Sequence, residues 1–130
     1  MAYEDFQFFN LIHNIYFRLA DRRPTTSDLF VESIKEYLIP EKHEGMNELQ
    51  LSLRSVQVNT EADKKDYDLL LHLGFDDIRA FNRFRASRNY NEWVDLYGSL
   101  VIDRREYNSY EMMSVVKTIP PKSITEEKSE

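Results

Sequence analysis

Histidine is the residue type most able to supply a general base or a metal ligand near neutral pH. The chain has three, His13, His43 and His72, and none lies three or four residues from another. This spacing lacks the paired helical histidines of zinc hydrolases. Cysteine is absent, which excludes disulfides, thiolate catalysis, iron–sulfur clusters and cysteine-ligated zinc. The sequence therefore predicts no metal site and no cofactor.

Paired carboxylates are the other route to acid–base chemistry. Asp76 and Asp77 occupy a position where helix capping explains both, and Asp66 and Asp68 project to different sides of an expected helix. The sequence also lacks a nucleophile elbow, a Walker loop and a dinucleotide-binding fingerprint. We therefore expect no catalytic residue and a protein that is not an enzyme. For an active site without a motif, the candidate titratable groups in a polar pocket are His13, Asp68 and His72.

The charges of the chain are segregated along the sequence. Residues 61–77 carry six acids, whereas residues 78–91 carry none. Four arginines lie in this second segment: Arg79, Arg83, Arg85 and Arg88. Aromatic residues interleave them, and arginine beside aromatic side chains is typical of nucleic-acid sites. A nucleic-acid-binding regulator that uses the Arg79–Arg88 helix is therefore the alternative function.

The same segment resembles a known DNA-binding motif. Leu73-Gly74-Phe75-Asp76-Asp77 followed by Phe81-Asn82-Arg83-Phe84-Arg85 is similar to the last helix-turn-helix of the AraC-type transcription regulators. The resemblance implies a Gly-Phe turn that precedes a recognition helix. It covers only about a dozen positions, and Asn89-Tyr90-Asn91-Glu92 stands where that family has Gly and Pro. We do not assign the chain to the family.

Aromatic residues concentrate just after the arginines. Tyrosine, tryptophan and arginine are enriched at protein interfaces. With no catalytic constellation present, this composition favours a non-enzymatic protein–protein interaction module of the acidic adaptor or inhibitor type. The predicted partner-binding residues are Arg79, Arg83, Arg85, Arg88, Tyr90, Trp93, Tyr97, Tyr107 and Tyr110.

Composition limits the partners. The chain has 130 residues with 23 acids and 17 bases, a net charge of −6 that argues against an ordinary polyanion-binding protein. We expect a protein partner, for which a basic one would suit the acidic surface, or self-association, with nucleic acid less favoured. The N-terminus is acidic and no apolar run is long enough to span a bilayer, so the sequence predicts no membrane partner and a cytoplasmic location.

Helical spacing of apolar residues dominates the chain. It predicts helices over residues 3–20, 25–38, 60–73, 76–86 and 92–101, with Gly74 as a left-handed helix end. Residues 46–58 fit a helix or a strand, and we favour the helix. Residues 107–119 are equally ambiguous, because a hairpin of residues 101–103 with 115–118 is an alternative.

These elements predict a mainly α fold, a small bundle of about six helices. The alternative is an α+β fold with strands near 48–58 and a hairpin over 99–118. We expect one globular domain over residues 1–119. The polar residues 120–130 should form a disordered tail, because they cannot bury enough apolar surface to fold.

Overall fold

The computed structural model describes residues 9–53 and 67–115. Four strands form one antiparallel sheet: β1 (Leu11–Leu19), β2 (Met46–Leu53), β3 (Leu69–Phe75) and β4 (Val101–Tyr110). Three helices lie between them: α1 (Pro24–Tyr37), α2 (Ile78–Ala86) and α3 (Arg88–Tyr97). Short 3-10 turns cover Pro40–Lys42 and Gly98–Leu100. The fold is α+β, so the predicted six-helix bundle is wrong and the α+β alternative fits.

The two central strands are the main source of that error. The sheet order is β2-β3-β1-β4, which places β1 and β3 between neighbours on both sides. Their sequences, LIHNIYFRL and LLLHLGF, carry apolar residues on both faces. A strand of this kind gives a nearly continuous apolar run, and such a run also satisfies three- and four-residue spacing. The predicted helices over residues 3–20 and 60–73 are therefore wrong wherever the described residues cover them.

Gly74 illustrates the difference. It lies within β3, opposite Glu48 of β2, and it is not a left-handed helix end. A Cβ atom there would lie 2.6 Å from Oδ1 of Asn47, at the irregularity in the β2 register. A side chain at this position would therefore displace the Asn47 side chain. The helix-turn-helix resemblance fails for the same reason, because its first helix is a strand.

The edge strands have a different character. In β2 the alternating leucines Leu49 and Leu51 face the core opposite Leu73 and Leu71, so the favoured helix over residues 46–58 is wrong for its described part, residues 46–53. The last strand, VIDRREYNSY, is polar on both faces and pairs with β1. It is continuous over residues 101–110, so the alternative hairpin over residues 99–118 has no turn within that range. The far part of that hairpin lies outside the described residues.

The helices after the N-terminal strand match the sequence pattern better. The first buries Phe30 and Ile34, and the chain ends it before Pro40 as predicted. Asp77 caps α2 by accepting a hydrogen bond from the Ala80 backbone N–H at 2.9 Å. The prediction that helix capping explains this carboxylate is confirmed. Ser87 ends α2 and caps α3 in the same way.

The sheet and the helices form two layers. Alternate residues of β1 contact helix side chains: Phe17 touches Phe30 and Trp93, and His13 touches Phe81. We call this side of the sheet the helix face. The residues between them lie on the opposite side, which we call the open face, and they include Ile12, Tyr16, Leu70, His72 and Tyr107. The core fills the space between the helix face and the three helices.

Two further expectations concern the ends of the chain and the membrane. Residues 120–130, predicted to be a disordered tail, lie outside the described residues, as does part of the expected domain over residues 1–119. No helix in the described ranges is both long enough and apolar enough to cross a bilayer. The cytoplasmic location stays a prediction.

Candidate binding site

A cavity of about 350 Å³ opens between α3 and the neighbouring strands β1 and β4. Its walls are mainly aromatic and aliphatic. The lining residues are Phe17, Phe30, Trp93, Val94, Tyr97, Gly98, Val101, Ile102, Asp103 and Arg104. An apolar cleft of this size with a few polar groups is the usual form of a small-molecule site.

The aromatic wall is held rigidly. The indole N–H of Trp93 donates a hydrogen bond to the hydroxyl of Ser33 at 2.9 Å, and both residues are buried. That hydroxyl in turn donates to the Phe30 carbonyl at 2.6 Å. The Phe17 and Phe30 rings meet edge to face with centroids 4.9 Å apart. These contacts fix the shape of the apolar wall before any ligand arrives.

Two charged residues lie at the cavity. Arg104 pairs with Phe17 in the sheet register, which places its side chain on the helix face. Its Nε atom lies 3.3 Å from Oε2 of Glu106. Asp103 also lines the cavity, but it pairs with Arg18, and its carboxylate lies on the open face, 3.9 Å from the Nε of Arg105. The cavity therefore presents the cation of Arg104, whereas the Asp103 carboxylate lies on the other face of β4.

Glu106 is the centre of a group that we call the charge cluster, which consists of His13, Arg85, Arg104, Glu106 and Asn108. Nε2 of His13 lies 3.0 Å from Oε1 of Glu106, and Nη1 of Arg85 lies 3.3 Å from the same oxygen. The contact with His13 holds the pKa of the Glu106 carboxyl below its usual value, and Arg104 and Arg85 lower it further against the opposing effect of burial. Glu106 is therefore ionised at neutral pH.

His13 is the most buried member of the charge cluster, with 1% of its side chain exposed. Its Nδ1 contacts the side-chain oxygen of Asn108, its cross-strand neighbour in β4. The ring packs against Phe81 at 4.8 Å between centroids. Both ring nitrogens therefore have a protein neighbour, and neither faces the cavity. This geometry gives His13 a role in tying β1 to β4, not in contacting a ligand.

The structure separates the three candidates for an active site without a motif. His13 lies on the helix face, whereas His72 lies on the open face and contacts Asn14 and Glu48. Asp68 binds the Leu19 backbone N–H at 2.9 Å and Nε of Arg22 at 2.8 Å, at the end of β1. No group of three His, Cys, Asp or Glu residues in ranges 9–53 and 67–115 could hold a metal ion.

The four predicted arginines are dispersed and paired. Each has a carboxylate within 4.0 Å, and the four acids lie on different elements. The pairs are Arg79 with Asp77, Arg83 with Glu44, Arg85 with Glu106, and Arg88 with Glu92. These contacts offset the cationic patch that the sequence indicated. Nucleic-acid binding stays a prediction.

The predicted aromatic partner-binding residues also fall into separate environments. Tyr90 and Trp93 are buried in the core, and the Tyr90 ring stacks near the Arg85 guanidinium at 5.3 Å. Tyr97 lines the cavity. Tyr107 lies on the open face next to Tyr16, and Tyr110 pairs with Leu11 at the end of β4. These five side chains do not form one surface.

Arg104 and Glu106 are not among the residues that the sequence predicts for a site. The signal was the composition of β4: a strand with no apolar alternation has to place polar side chains on the helix face as well as the open face. Cross-strand pairing with β1 brings these charges to the buried His13 and to the cavity.

Structural comparison identifies the class of fold. The chain is similar to a DABB family protein with a ferredoxin-like fold from Mesorhizobium loti, with 17% identity and a TM-score of 0.65 over 81% of this chain and 99% of that one. A dimeric ferredoxin-like protein of unknown function from Thermobifida fusca gives the same TM-score at 13% identity, over 81% and 93% of the two chains. No family model and no curated protein matches the sequence.

A third similar structure is an enzyme. The hydroxynitrile lyase from Passiflora edulis has a TM-score of 0.63 and 12% identity, over 87% of this chain and 99% of that one. At these identities the similarity defines the fold alone. The chain has a ferredoxin-like α+β fold, and neither that fold nor its neighbours supports the predicted adaptor or inhibitor role.

Proposed function

We propose that this protein binds a small molecule in the cavity between α3 and β4. The observation that carries the proposal is the preformed aromatic wall, in which Trp93 is fixed by its hydrogen bond to Ser33. Burying an apolar ligand there releases water from aromatic surface at little cost in protein ordering. Arg104 provides a polar contact that orients a ligand.

The lining residues support ligand binding, not a catalytic step. The charged residues of the cavity lining are Asp103 and Arg104, and both have partners of opposite charge. The similar structure from Passiflora edulis is an enzyme, a hydroxynitrile lyase, and that activity is a property of that protein. The proposal for this chain is a binding function.

The neutral probe cyclohexanecarboxamide tests the proposal. Trp93 is the only tryptophan in the chain, so its fluorescence reports on the cavity directly. We expect saturable binding to the wild type and a loss of at least tenfold in affinity in Gly98→Phe, which adds a ring at the cavity wall. A Cβ on Gly98 meets no atom within 4 Å, so Gly98→Ala is the matched control and should bind normally. Absence of saturable binding, or equal binding by Gly98→Phe, would contradict the proposal.

The open face supports a second proposal, that two copies of this chain associate through it. The side chains of Tyr67, Tyr16 and Tyr107 meet edge to face on that side, and Tyr107 is 57% exposed. Tyrosines with exposed apolar area are frequent at interfaces. The neighbours from Thermobifida fusca and Bacteroides fragilis are dimeric ferredoxin-like proteins.

Sedimentation velocity tests this association. We expect a dimer for the wild type and dissociation in Tyr107→Asp, which puts a charge on the open face. Leu29→Asp is the control, because Leu29 is a half-exposed apolar residue on α1, in the helix layer. A monomeric wild type, or dissociation by the control alone, would contradict an open-face dimer.

A further inference from the structure

We propose that the ligand of this cavity is a small carboxylate with an apolar body, and that Arg104 binds its carboxyl group. The inference rests on the proposed binding function and adds the chemical class of the ligand. It follows from the arrangement of charge beside the cavity, where one cation is incompletely neutralised and a large apolar surface lies next to it.

Positive charges outnumber negative charges in the charge cluster. The single carboxylate of Glu106 is shared by Arg104, Arg85 and the imidazole of His13. One negative charge therefore faces two permanent positive charges. Within the described ranges, no other carboxylate lies within 4.0 Å of the Arg104 side chain. An excess of positive charge remains at this side of the cavity.

The guanidinium group of Arg104 has more N–H donors than its contact with Glu106 uses. Arginine has five N–H donors, and the contact of Arg104 with Glu106 uses the Nε side. The planar guanidinium matches a carboxylate with two parallel hydrogen bonds. Because Arg104 lines the cavity and is one-third exposed, an anion that enters can reach it without displacing Glu106.

The one carboxylate among the lining residues, that of Asp103, lies on the open face and is weaker as a ligand site. Asp103 is half exposed and already lies near Arg105, so its charge is screened by solvent and by that cation. A cationic ligand would also approach the positive charge of Arg104. These relationships favour an anion over a cation of the same size.

Three probes of equal shape and different charge provide the test: cyclohexanecarboxylate, cyclohexanecarboxamide and cyclohexylmethylammonium. Calorimetry at pH 7 and 0.15 M salt should show that the carboxylate binds roughly tenfold or more tightly than the amide, since charged hydrogen bonds are the stronger ones. The ammonium probe should bind most weakly. Equal affinity of the carboxylate and the amide, or tighter binding of the ammonium, would overturn the inference.

Variants identify the group responsible. Arg104→Met keeps the apolar stem and should remove the preference for carboxylate over amide. Arg104→Lys should keep part of the preference, because it retains the charge but not the planar fork. Arg105→Met is the matched control, since Arg105 is adjacent and lies on the open face. A carboxylate preference that survives Arg104→Met would refute the role of Arg104.

The two proposals fail in different ways. If the amide binds at a site that Gly98→Phe blocks and the carboxylate has no advantage, the cavity is a binding site and the ligand class is wrong. If no probe binds saturably, the proposed binding function itself is wrong.

Discussion

Glu106 and His13 meet diagonally across β1 and β4, with Oε1 and Nε2 3.0 Å apart. In the register Glu106 is opposite Ile15, and His13 is opposite Asn108. The two residues are therefore offset by two positions in the register, and both lie on the helix face. The contact joins a buried imidazole to a carboxylate that also contacts Arg85 of α2, so one residue ties β1, β4 and α2 together.

Removing the charge of Glu106 should destabilise the fold. In Glu106→Gln, two guanidinium groups and the imidazole of His13 lose their shared anion, and we expect a loss of about 1–3 kcal/mol in the free energy of unfolding. Glu92→Gln is the control, because Glu92 forms a solvent-exposed pair with Arg88 and should cost about 0.5 kcal/mol or less. Urea unfolding measures both. Similar losses in the two variants would show that the charge cluster stabilises the fold no more than an exposed ion pair does.

The same carboxylate predicts how stability changes in acid. The pKa of Glu106 in the folded protein lies below its ordinary value of 4.5. Its stabilising contribution is therefore complete above pH 4.5 and is lost as the pH falls through the lower pKa of the folded state. Between pH 5 and pH 3 the wild type should lose more stability than Glu106→Gln. Parallel pH profiles of the two proteins would contradict this assignment.

His43 predicts a second pH effect nearer to neutrality. Burial lowers the pKa of His43 below its ordinary value of 6.5, although its ring contacts the Tyr37 carbonyl at 2.8 Å. The folded state thus resists protonation, and this contribution is complete above pH 6.5 and decreases as the pH falls. An NMR titration, with the His43 signal assigned from His43→Gln, should give a pKa below 6.5. A pKa at or above 6.5 would contradict the effect of burial.

The contact between Trp93 and Ser33 predicts an energetic coupling between α3 and α1. Trp93→Phe and Ser33→Ala should each destabilise the protein, and the double variant should lose about 1 kcal/mol less than the sum. A double-mutant cycle in urea measures this term. Additive losses would mean that the hydrogen bond does not stabilise the cavity wall.

Gly45 and Gly98 predict opposite responses to the same substitution. Gly45 has φ of +87°, and a Cβ there would lie 2.4 Å from the Cβ of Ala80. Gly45→Ala should therefore cost about 1–3 kcal/mol. Gly98 has ordinary helical φ and ψ and open space around it, so Gly98→Ala should be neutral or stabilising by up to about 1 kcal/mol. Thermal unfolding compares them, and equal shifts would contradict the account.

The sequence predicts the local elements of this fold unevenly, and the reason is physical. Helix α1 follows from amphipathic spacing and the start of α3 from the capping chemistry of Ser87, which are local, although the predicted helix over residues 92–101 is displaced from the observed Arg88–Tyr97. The strands β1 and β3 are buried between neighbours, so their apolar residues on both faces imitate a buried helix. Strand pairing depends on residues far apart in the chain, and spacing within a segment does not reveal it.

The candidate site was less predictable than the fold. Glu106 and Arg104 lie in a polar strand with no motif, and their importance comes only from pairing with Phe17 and Ile15 of β1. Trp93 was among the predicted residues, but as part of a surface and not as the wall of a cavity. The sequence predicts one patch from the arginines of α2 and α3, whereas in the structure each arginine pairs with a different carboxylate.

The most direct test of the central claim is a ¹H–¹⁵N NMR titration of the wild type with cyclohexanecarboxylate at pH 7. The account predicts saturable shifts of the Trp93 indole signal and of the Gly98, Ile102 and Arg104 backbone amides, which surround the cavity. The amides of Gln50 and His72, on the β2 and β3 side of the sheet, should not move. No saturable shift at Trp93, or shifts confined to the β2 and β3 side, would contradict a ligand site in this cavity.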